Sequence, residues 1–406
     1  MVCYPQCRSD RPQMPGQSSV TVEQELARWL KGSVLPYWAT EGYDAAAGLF
    51  QERLFPDGRP DTAAVRRVRV QARQIYVYAH AAVLGWYPEG AELALRVHDR
   101  LAAVAHAPDG RGGFVHSVAP EGRVVTHLRD AYDHAFLVLA FAWLLRATGE
   151  ARVRTVLEAV LSFVDAEMTA ADGSLLEGVP PSLPRRQNPQ MHWYEAMLAL
   201  MEAGFPGAEA RAARHRALFE ARLFDAAAGS LGEYFTDDWA PAPGIEGRIL
   251  EPGHHAEWVW LLRRHEALAR LDPSPAAGAL LAGAMRWVEP ATGLLVDEVL
   301  RGGGVHRGTR RTWLQTELAK AWLSEVERGA AGAADQARRA LAGLNHYFLR
   351  QPIEAGWADR VDEQGRALPG LIPASALYHV FLAVAEAERV LGGGHAKNDS
   401  SASLAC

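Results

Sequence analysis

The stretch EPGHHAEWVWLL (251–262) has the form of a helix start. Pro252 and Gly253 interrupt the preceding chain and apolar residues then recur at helical spacing, so we predict a helix that begins at or near His254. His254 and Glu257 are three residues apart and would share one face of that helix. We expect Glu257 to orient the imidazole of His254, and the helix dipole to keep that ring neutral.

A similar start recurs along the chain. Polar or ionisable residues in alternate predicted helices follow one another at intervals of 59, 60, 62, 63 and 62 residues. A period of about 61 residues indicates repeated helical hairpins. The six residues are Arg73, Tyr132, His192, His254, Glu317 and His379.

Helical periodicity predicts the fold class. Long connections follow the odd-numbered helices, and short β-like segments such as GSLGEYF (229–235) lie within them. We predict an all-α fold, an (α/α)6 barrel of six hairpins with short β-hairpins over its mouth, in which the even-numbered helices form an inner ring and the six polar residues lie at one level. An open solenoid would show the same period. The twelve predicted helices are about 20–38, 61–86, 90–106, 128–148, 151–168, 190–204, 207–222, 254–270, 275–288, 311–328, 331–349 and 374–391.

Two other helix starts carry capping signals. In QNPQMH (187–192), Asn188 is predicted as the N-cap and Pro189 as the first helical residue. TWLQTE (312–317) has the T-x-x-Q form of a capping box and places Glu317 on the second turn.

Histidines are the candidate acid–base residues. The unperturbed pKa of histidine lies nearest neutrality, so we assign proton transfer to His254 and His379. The alternative is that each ring is a hydrogen-bonded packing residue.

Other side chains are candidates for substrate binding. Arg73 could hold a hydroxyl or an anionic group with its planar fork, or form an ion pair within the inner ring. Tyr132 and Asn188 could bind sugar hydroxyls, and Trp313 could stack on a sugar ring or belong to the core. Paired arginines are expected to be solvated, and would favour an anionic sugar if they faced the cavity: Arg66, Arg67, Arg185, Arg186, Arg310 and Arg311.

Several other chemistries are disfavoured. A metal site could be built from the histidines and glutamates already named, but no H-E-x-x-H is present, and we predict neither metal nor cofactor. A glycosidase would need two carboxylates, for which Glu257 and Glu317 are the candidates. No phosphate-binding glycine motif and no G-x-S-x-G occur. The formal charge of −6 gives no support for nucleic acid, and no run of about 18 apolar residues indicates a membrane span.

The 406-residue chain has three cysteines, at positions 3, 7 and 406. A body without cysteine excludes a disulfide framework and a catalytic thiol there, and fits a cytoplasmic protein. Residues 1–19 and 392–406 are polar or low in complexity, and we predict disordered tails around a single catalytic domain at 20–391. A homo-oligomer is left open.

Six blocks, in order, resemble the N-acylglucosamine 2-epimerase superfamily, which includes cellobiose 2-epimerase and mannose-type aldose–ketose isomerases. Together they span about residues 20–390. The blocks are RVRVQARQIYVYAHAAVLG (67–85), HLRDAYDHAFLVLAFAW (127–143), RRQNPQMHWYEAMLAL (185–200), EPGHHAEWVWLLRR (251–264), RRTWLQTELAKAWL (310–323) and GWADRVDEQGRALPGLIPASALYHVFLAVAE (356–386).

The resemblance implies an (α/α)6 barrel and metal-independent proton transfer at C2 of an opened sugar. It implies that His254 and His379 are the acid–base pair and that Arg73 positions substrate. Tyr132, Asn188, His192, Glu257, Trp313 and Glu317 also match motif positions of the family. Sugar isomerases of the family often carry a tryptophan one turn before the arginine, where this chain has Arg69.

Three functions remain in view. The first is an aldose–ketose isomerase for mannose and fructose that works through a cis-enediol(ate). The second is a sugar 2-epimerase, which would return the proton to the opposite face of C2. The third is a non-catalytic sugar-binding module on the same fold.

Overall fold

The computed structural model describes residues 20–392, and helices dominate it. Helices α1 and α2 are joined by a π-helical turn at Leu30–Val34 into one bent helix, so this part of the chain holds twelve helices as predicted. The bounds are α1 Val22–Trp29, α2 Leu35–Thr40, α3 Val68–Val83, α4 Gly90–Ala105, α5 Ala131–Thr148, α6 Ala151–Phe163, α7 Gln187–Glu202, α8 Ala208–Leu218, α9 Pro252–Ala269, α10 Pro275–Met285, α11 Thr312–Glu327, α12 Ala333–Tyr347 and α13 Leu377–Leu391.

The helices form two concentric rings. The inner ring consists of α3, α5, α7, α9, α11 and α13, which are the even-numbered helices of the prediction because α1 and α2 together form its first helix. These six helices are buried along most of their length and each packs against the next, and α13 packs against α3. Helix α5, AYDHAFLVLAFAWLLRAT, is apolar on all sides, which is the pattern of a helix enclosed by others. Because the last inner helix meets the first, the barrel is closed, and the (α/α)6 prediction is confirmed over the open solenoid.

Short antiparallel strands join the repeats around the mouth. The strand just before each inner helix pairs with a strand in a neighbouring long connection, and the last such strand pairs with one in the first connection. The ring is therefore closed by backbone hydrogen bonds as well as by helix packing. The six pairs are Arg66–Arg67 with Ser117–Val118, Arg129–Asp130 with Gly178–Val179, Arg185–Arg186 with Tyr234–Phe235, Ile249–Leu250 with Glu298–Leu300, Arg310–Arg311 with Arg360–Val361, and Ile372–Pro373 with Arg53–Leu54.

The remaining strands complete small hairpins. Val124–Thr126 and Val305–Arg307 each extend one of those pairs to three strands. Tyr43–Asp44 pairs with Leu49–Phe50, and Phe224–Asp225 pairs with Ser230–Leu231. The predicted short β-hairpins in the long connections are thus present.

A repeated side-chain hydrogen bond ties five of the six long connections to the inner helix that follows. Gln71 Oε1 accepts a hydrogen bond of 2.7 Å from the Phe50 N–H, and Gln190 Oε1 accepts one of 2.9 Å from the Leu175 N–H. A buried backbone donor is satisfied each time, so the connections are held in place without regular secondary structure. The same bond is made by His134 to Phe114, His255 to Leu231 and Gln315 to Leu295.

Several expected helix starts are corrected. The helix predicted from 61 begins at Val68, because the buried Arg66 bonds the carbonyl of Ala64 and draws residues 61–67 into a loop and strand. Asn188 lies inside the first turn and is not the N-cap, since α7 begins at Gln187. Thr312 forms no capping box because Gln315 bonds the backbone of Leu295.

The expectation that the paired arginines are solvated is also wrong for half of them. Arg66, Arg185 and Arg310 are buried, and Arg185 donates to Ser174 and to the Leu175 carbonyl. They anchor the connections rather than the substrate.

The predicted tails, apart from Gly392, lie outside the described residues, as do all three cysteines. Among residues 20–392, no helix combines the length and apolarity that crossing a bilayer requires.

Candidate active site

A cavity of about 240 Å³ opens at the N-terminal ends of the inner helices. It is near the small end of ligand pockets, which run to roughly 300–1,000 Å³, so it suits a small ligand. Eight of the nine predicted site residues line it, and Glu317 does not. The eight are Arg73, Tyr132, Asn188, His192, His254, Glu257, Trp313 and His379.

These residues occupy two levels, which corrects the expected single level. Tyr132 and His254 lie on the first turn of α5 and α9, whereas Arg73, His192 and Glu317 are each the sixth residue of their helix. The sequence intervals between the six residues are nearly equal although the residues lie at two levels, because the inner helices do not begin at equal intervals. A deep ring is formed by Arg73, Phe136, His192, Glu257, Glu317 and His379.

The members of the deep ring contact one another in order. The Arg73 guanidinium carbon lies 4.1 Å from the centre of the Phe136 ring, and the Phe136 and His192 ring centres are 4.6 Å apart. His192 Nε2 lies 4.0 Å from Glu257 Oε1. The side chains at and beneath the floor of the cavity therefore form a belt of ionisable and aromatic groups.

His254 is held by a glutamate that the sequence analysis missed. Its Nδ1 lies 2.9 Å from Glu233 Oε2 and 3.9 Å from Glu251 Oε2, and both carboxylates are buried. Although burial opposes a charged ring, the carboxylates of Glu233 and Glu251 raise the pKa of His254 to about 9. Two predictions are therefore wrong: Glu233, not Glu257, orients the ring, and His254 is an imidazolium at neutral pH.

Asn188 meets the other nitrogen of His254. The Asn188 Nδ2 atom lies 3.2 Å from His254 Nε2, and the Asn188 Oδ1 atom is buried without a hydrogen-bond partner. A half-turn of the amide would present Oδ1 to a protonated Nε2, so Asn188 can serve both protonation states of the ring.

The Nδ1 atom of His379 also has a glutamate as its partner, but the charge state of this ring is the opposite of that of His254. Its Nδ1 lies 2.8 Å from Glu317 Oε1. Burial and the positive charges of Arg73 and Lys320 lower the pKa of His379 well below its usual range. A neutral ring that donates from Nδ1 to a carboxylate leaves Nε2 free to accept a proton.

Arg73 makes no ion pair within residues 20–392. Its Nη2 donates 2.7 Å to the Tyr132 hydroxyl and its Nη1 donates 3.1 Å to the Ser375 carbonyl. Aromatic rings of Phe136, Tyr132 and Tyr378 surround the guanidinium. A nearly buried cation without a carboxylate is suited to an electron-rich oxygen of a ligand.

The surroundings of Glu257 favour its neutral, protonated form. Both of its carboxyl oxygens are buried without a hydrogen-bond partner, and burial together with the nearby Glu317 raises the pKa of Glu257 well above its usual range. His192 beside it is neutral too, because burial lowers the pKa of His192 to about 4 despite its bond to Glu195.

Trp313 lies between the two catalytic candidates. The centre of its ring is 4.9 Å from that of His254 and 5.7 Å from that of His379. The partly exposed indole therefore forms a wall that the two imidazoles share.

Three clusters in the site have the spacing of metal ligands, with donor atoms within 4.8 Å of one another. Positive charge lies beside each cluster, which disfavours a divalent cation. Arg73 and Lys320 act on the two clusters that contain Glu257, and Arg311 lies 2.9 Å from Glu251 in the third. The clusters are His192 with Glu195 and Glu257, Glu233 with Glu251 and His254, and Glu257 with Glu317 and His379.

Glu233 could have been found from a second repeat, in the connections rather than the helices. Each long connection carries an aromatic or aliphatic residue followed two positions later by a polar one. That polar residue is an acid in five repeats, and Glu233 is the one that meets His254. The pairs are Phe50 and Glu52, Phe114 and His116, Leu175 and Glu177, Leu231 and Glu233, Leu295 and Asp297, and Trp357 and Asp359.

With this geometry in view, comparison with known proteins identifies the family. The family model for N-acylglucosamine 2-epimerase (GlcNAc 2-epimerase) matches residues 48–383. The chain belongs to that family. A protein of Rhizobium meliloti (strain 1021) named mannose-6-phosphate isomerase is 35% identical over 389 residues, which cover 90% of this chain and 97% of that protein.

Solved structures share the fold of this family member. Cellobiose 2-epimerase from Spirochaeta thermophila aligns with a TM-score of 0.81 and 23% identity over 91% of this chain and 96% of its own. A D-mannose isomerase aligns with a TM-score of 0.79 and 20% identity over 93% of this chain and 100% of its own. The family predicted from the six blocks is thus confirmed, and the names of these relatives support an enzyme that acts on sugars.

Proposed function

We propose that this protein is an aldose–ketose isomerase that interconverts D-mannose and D-fructose through a cis-enediol(ate). The observation that carries the proposal is that one cavity holds two histidines whose Nδ1 atoms each lie against a buried glutamate, and only the glutamate of His379 is paired with a lysine. These surroundings favour a neutral His379 and a charged His254. Groups whose surroundings push their pKa values apart are suited to act as base and acid. Residues 20–391 would form the single catalytic domain.

The chemistry then follows from the positions. In the opened aldose, His379 Nε2 takes the proton from C2, the C2–H electrons form the C1–C2 double bond, and the carbonyl electrons move onto O1. His254 donates its Nε2 proton to O1. The neutral His254 next takes the proton from the O2 hydroxyl, and the protonated His379 returns its proton to C1, which leaves a ketone at C2.

Arg73 and Glu257 would stabilise the intermediate. The unpaired guanidinium of Arg73 is suited to the negative oxygen of an enediolate, and the protonated Glu257 can donate a hydrogen bond to a second oxygen. Tyr132 holds Arg73 by a bond of 2.7 Å, and Asn188 meets His254, so both support the machinery rather than perform the transfer.

An isomerase is favoured over the 2-epimerase alternative because the two histidines are unlike. A 2-epimerase needs proton exchange with both faces of C2, for which two comparable bases are suited. Here His254 is held between Glu233 and Glu251 as an acid, which suits transfer to oxygen. The name of the Rhizobium relative, a mannose-6-phosphate isomerase, also supports isomerisation.

The arginines of the cavity favour an uncharged sugar. Arg311 lies 2.6 Å from Asp297 and 2.9 Å from Glu251, and Arg360 lies 3.5 Å from Asp359. A phosphate at the mouth would have to compete with those carboxylates. Arg73, the arginine without one, lies in the deep ring where the reacting carbons are expected.

Incubation with D-mannose and, separately, D-mannose 6-phosphate tests the proposal. Products are separated by chromatography after dialysis of the enzyme against EDTA, which we expect to leave the rate unchanged. Fructose from free mannose is expected. Glucose without fructose would instead support the 2-epimerase, and turnover of the phosphate ester alone would contradict the uncharged substrate.

A wider panel covers the remaining alternatives. Glucose, N-acetylglucosamine and cellobiose are assayed in the same way, and binding of each sugar is measured by calorimetry. Binding without turnover of any sugar would point to a non-catalytic module.

A further inference from the structure

A buried lysine lies behind the proposed base. Lys320 follows Glu317 by one helical turn on α11, and neither side chain is exposed. The Lys320 Nζ atom lies 2.6 Å from Glu317 Oε2, while the other oxygen of that carboxylate lies 2.8 Å from His379 Nδ1. Lysine, glutamate and histidine thus form a chain that ends at the cavity.

The surroundings of Lys320 favour its charged form. Isolated burial of an ammonium is costly, and burial lowers the pKa of a lysine. Here the carboxylates of Glu317 and Glu195 act against burial, and the pKa of Lys320 is raised. Its Nζ atom also lies 4.4 Å from the centre of the Trp260 ring, a cation–π distance.

We propose that Lys320 is a positioning residue that makes His379 the base of the site. By pairing with Glu317, it lets the carboxylate hold the Nδ1 proton of His379 without drawing a second proton onto Nε2. The inference rests on the proposed function, since a base is what that function requires of His379.

His254 shows what the same bond does when, among the described residues, no lysine or arginine pairs with the glutamate that makes it. Glu233 contacts its histidine at nearly the same distance as Glu317 does, 2.9 Å against 2.8 Å. A second carboxylate, that of Glu251, lies near the Glu233 pair, whereas an ammonium lies against Glu317. The surroundings favour the charged form of the histidine whose glutamate has no cation against it, and the neutral form of the one whose glutamate is paired with an ammonium.

Other groups also face His379, and the substitutions below leave them in place. Arg73 on α3 disfavours its protonation, and Glu195 on α7 favours it. The ionisable groups around the ring are Arg73, His192, Glu195, Glu257, Glu317, Lys320 and Tyr378.

The first experiment is the variant Lys320→Met. Two routes lead to the same loss. Either Glu317 stays charged and stabilises a His379 ring that has taken a second proton from solvent, or Glu317 takes up a proton and donates a hydrogen bond to Nδ1, which leaves the ring hydrogen on Nε2. We expect kcat/KM at pH 7 to fall about 10²-fold, the contribution of a general base. The acidic limb of the pH profile should move to higher pH or disappear.

The double variant Glu317→Gln with Lys320→Met separates this role from packing. It removes both buried charges, and the amide oxygen introduced at position 317 can still accept from Nδ1, so a neutral His379 is restored. We expect the double variant to be at least about tenfold more active than Lys320→Met, which is the coupling of two residues in one network. A double variant that is no better than the single one would overturn the proposal, also where the single variant unfolds.

Lys31→Met is the matched control. Lys31 lies 4.4 Å from the centre of the Trp86 ring, as Lys320 does from Trp260, and among the described residues it has no carboxylate partner. We expect its pH profile to match that of the unaltered enzyme. A profile altered as in Lys320→Met would mean that any buried-stem lysine acts in this way and would overturn the specific role of Lys320.

Imidazole nitrogen NMR reads the tautomer of His379 without turnover. We expect protonated Nδ1 and bare Nε2 in the unaltered protein, a different state in Lys320→Met, and the original state in the double variant. An unchanged state in Lys320→Met would overturn the role of Lys320 even if no sugar were turned over, whereas failure of turnover alone would contradict the proposed function.

Discussion

The surroundings of His254 and His379 agree in their nearest contacts and differ in the charged groups beyond them. In each, Nδ1 contacts a buried glutamate within 2.9 Å, and both rings lie against Trp313. Behind Glu233 stands the additional carboxylate of Glu251, and behind Glu317 stands the ammonium of Lys320. The first histidine is charged and the second is neutral.

The nearest partner of a buried histidine therefore does not decide its charge. A carboxylate at Nδ1 is common to both rings and fixes their orientation. The net charge of the whole cluster decides the protonation state, because little water is present to screen it. Two similar dyads can thus supply an acid and a base within one cavity.

Removal of the proposed base should have the largest effect. We expect His379→Ala to lower kcat for mannose about 10³-fold or more, since the residue that takes the C2 proton is lost. Helical circular dichroism should be unchanged. His254→Ala should also abolish turnover, and retained activity in either folded variant would contradict the acid–base assignment.

The next largest effect is expected at Arg73. Arg73→Met should lower kcat about 10²- to 10³-fold. The variant lacks the preorganised positive charge that would stabilise the developing oxyanion in both proton-transfer steps. Steady-state kinetics measures it. A rise in KM with an unchanged kcat would show that Arg73 only binds the sugar.

A smaller effect should distinguish the limb of the pH profile that His254 sets from the limb that His379 sets. Glu233→Gln removes one negative charge from His254, so the pKa of that ring falls and the alkaline limb of the kcat/KM profile moves to lower pH by about one unit or more. The acid must be protonated to act, which gives the direction of the shift. The acidic limb, set by His379, should stay in place.

Glu251→Gln is the control for this shift. Glu251 lies farther from His254, at 3.9 Å, so the alkaline limb should move in the same direction by less. A shift of the acidic limb in either variant would mean that the two dyads are not independent.

No effect is expected at the thiols. Cys3, Cys7 and Cys406 lie at the ends of the sequence, and neither dyad uses sulfur. Alkylation or removal of all three should leave kcat and both limbs of the pH profile unchanged. Inactivation would place a tail in the site.

The barrel could be predicted because its signal is repeated. Inner helices such as α5 are apolar on all sides, and a period near 61 residues recurs six times. Helix boundaries were harder, since Arg66 and Gln315 bind distant backbone groups instead of following local preference. The closing strand pair, Arg53–Leu54 with Ile372–Pro373, is a contact between the two ends of the described chain that no local pattern shows.

Most residues that line the cavity could be predicted from the sequence, but which of them contact one another could not. His254, His379 and Arg73 were found because helix starts reveal them. The partner of His254 was assigned to Glu257, three residues away on the same helix, whereas the observed partner is 21 residues away in a connection. The neutral ring predicted for His254 was a separate error. That prediction rested on the helix dipole, which is weaker than two buried carboxylates.

The closed ring of strand pairs has a consequence for the order of the chain. The first helix packs against the last, with α1 in contact with α12 and α13, so residues 22 and 391 belong to neighbouring helices. Every strand pair lies at the mouth, while the turns at Gly204 and Gly207 lie between α7 and α8, at the far end of an inner helix. A circular permutant that joins the old ends through a linker and opens the chain at this turn would keep all six pairs, and His254 and His379 would then precede Arg73 along the polypeptide.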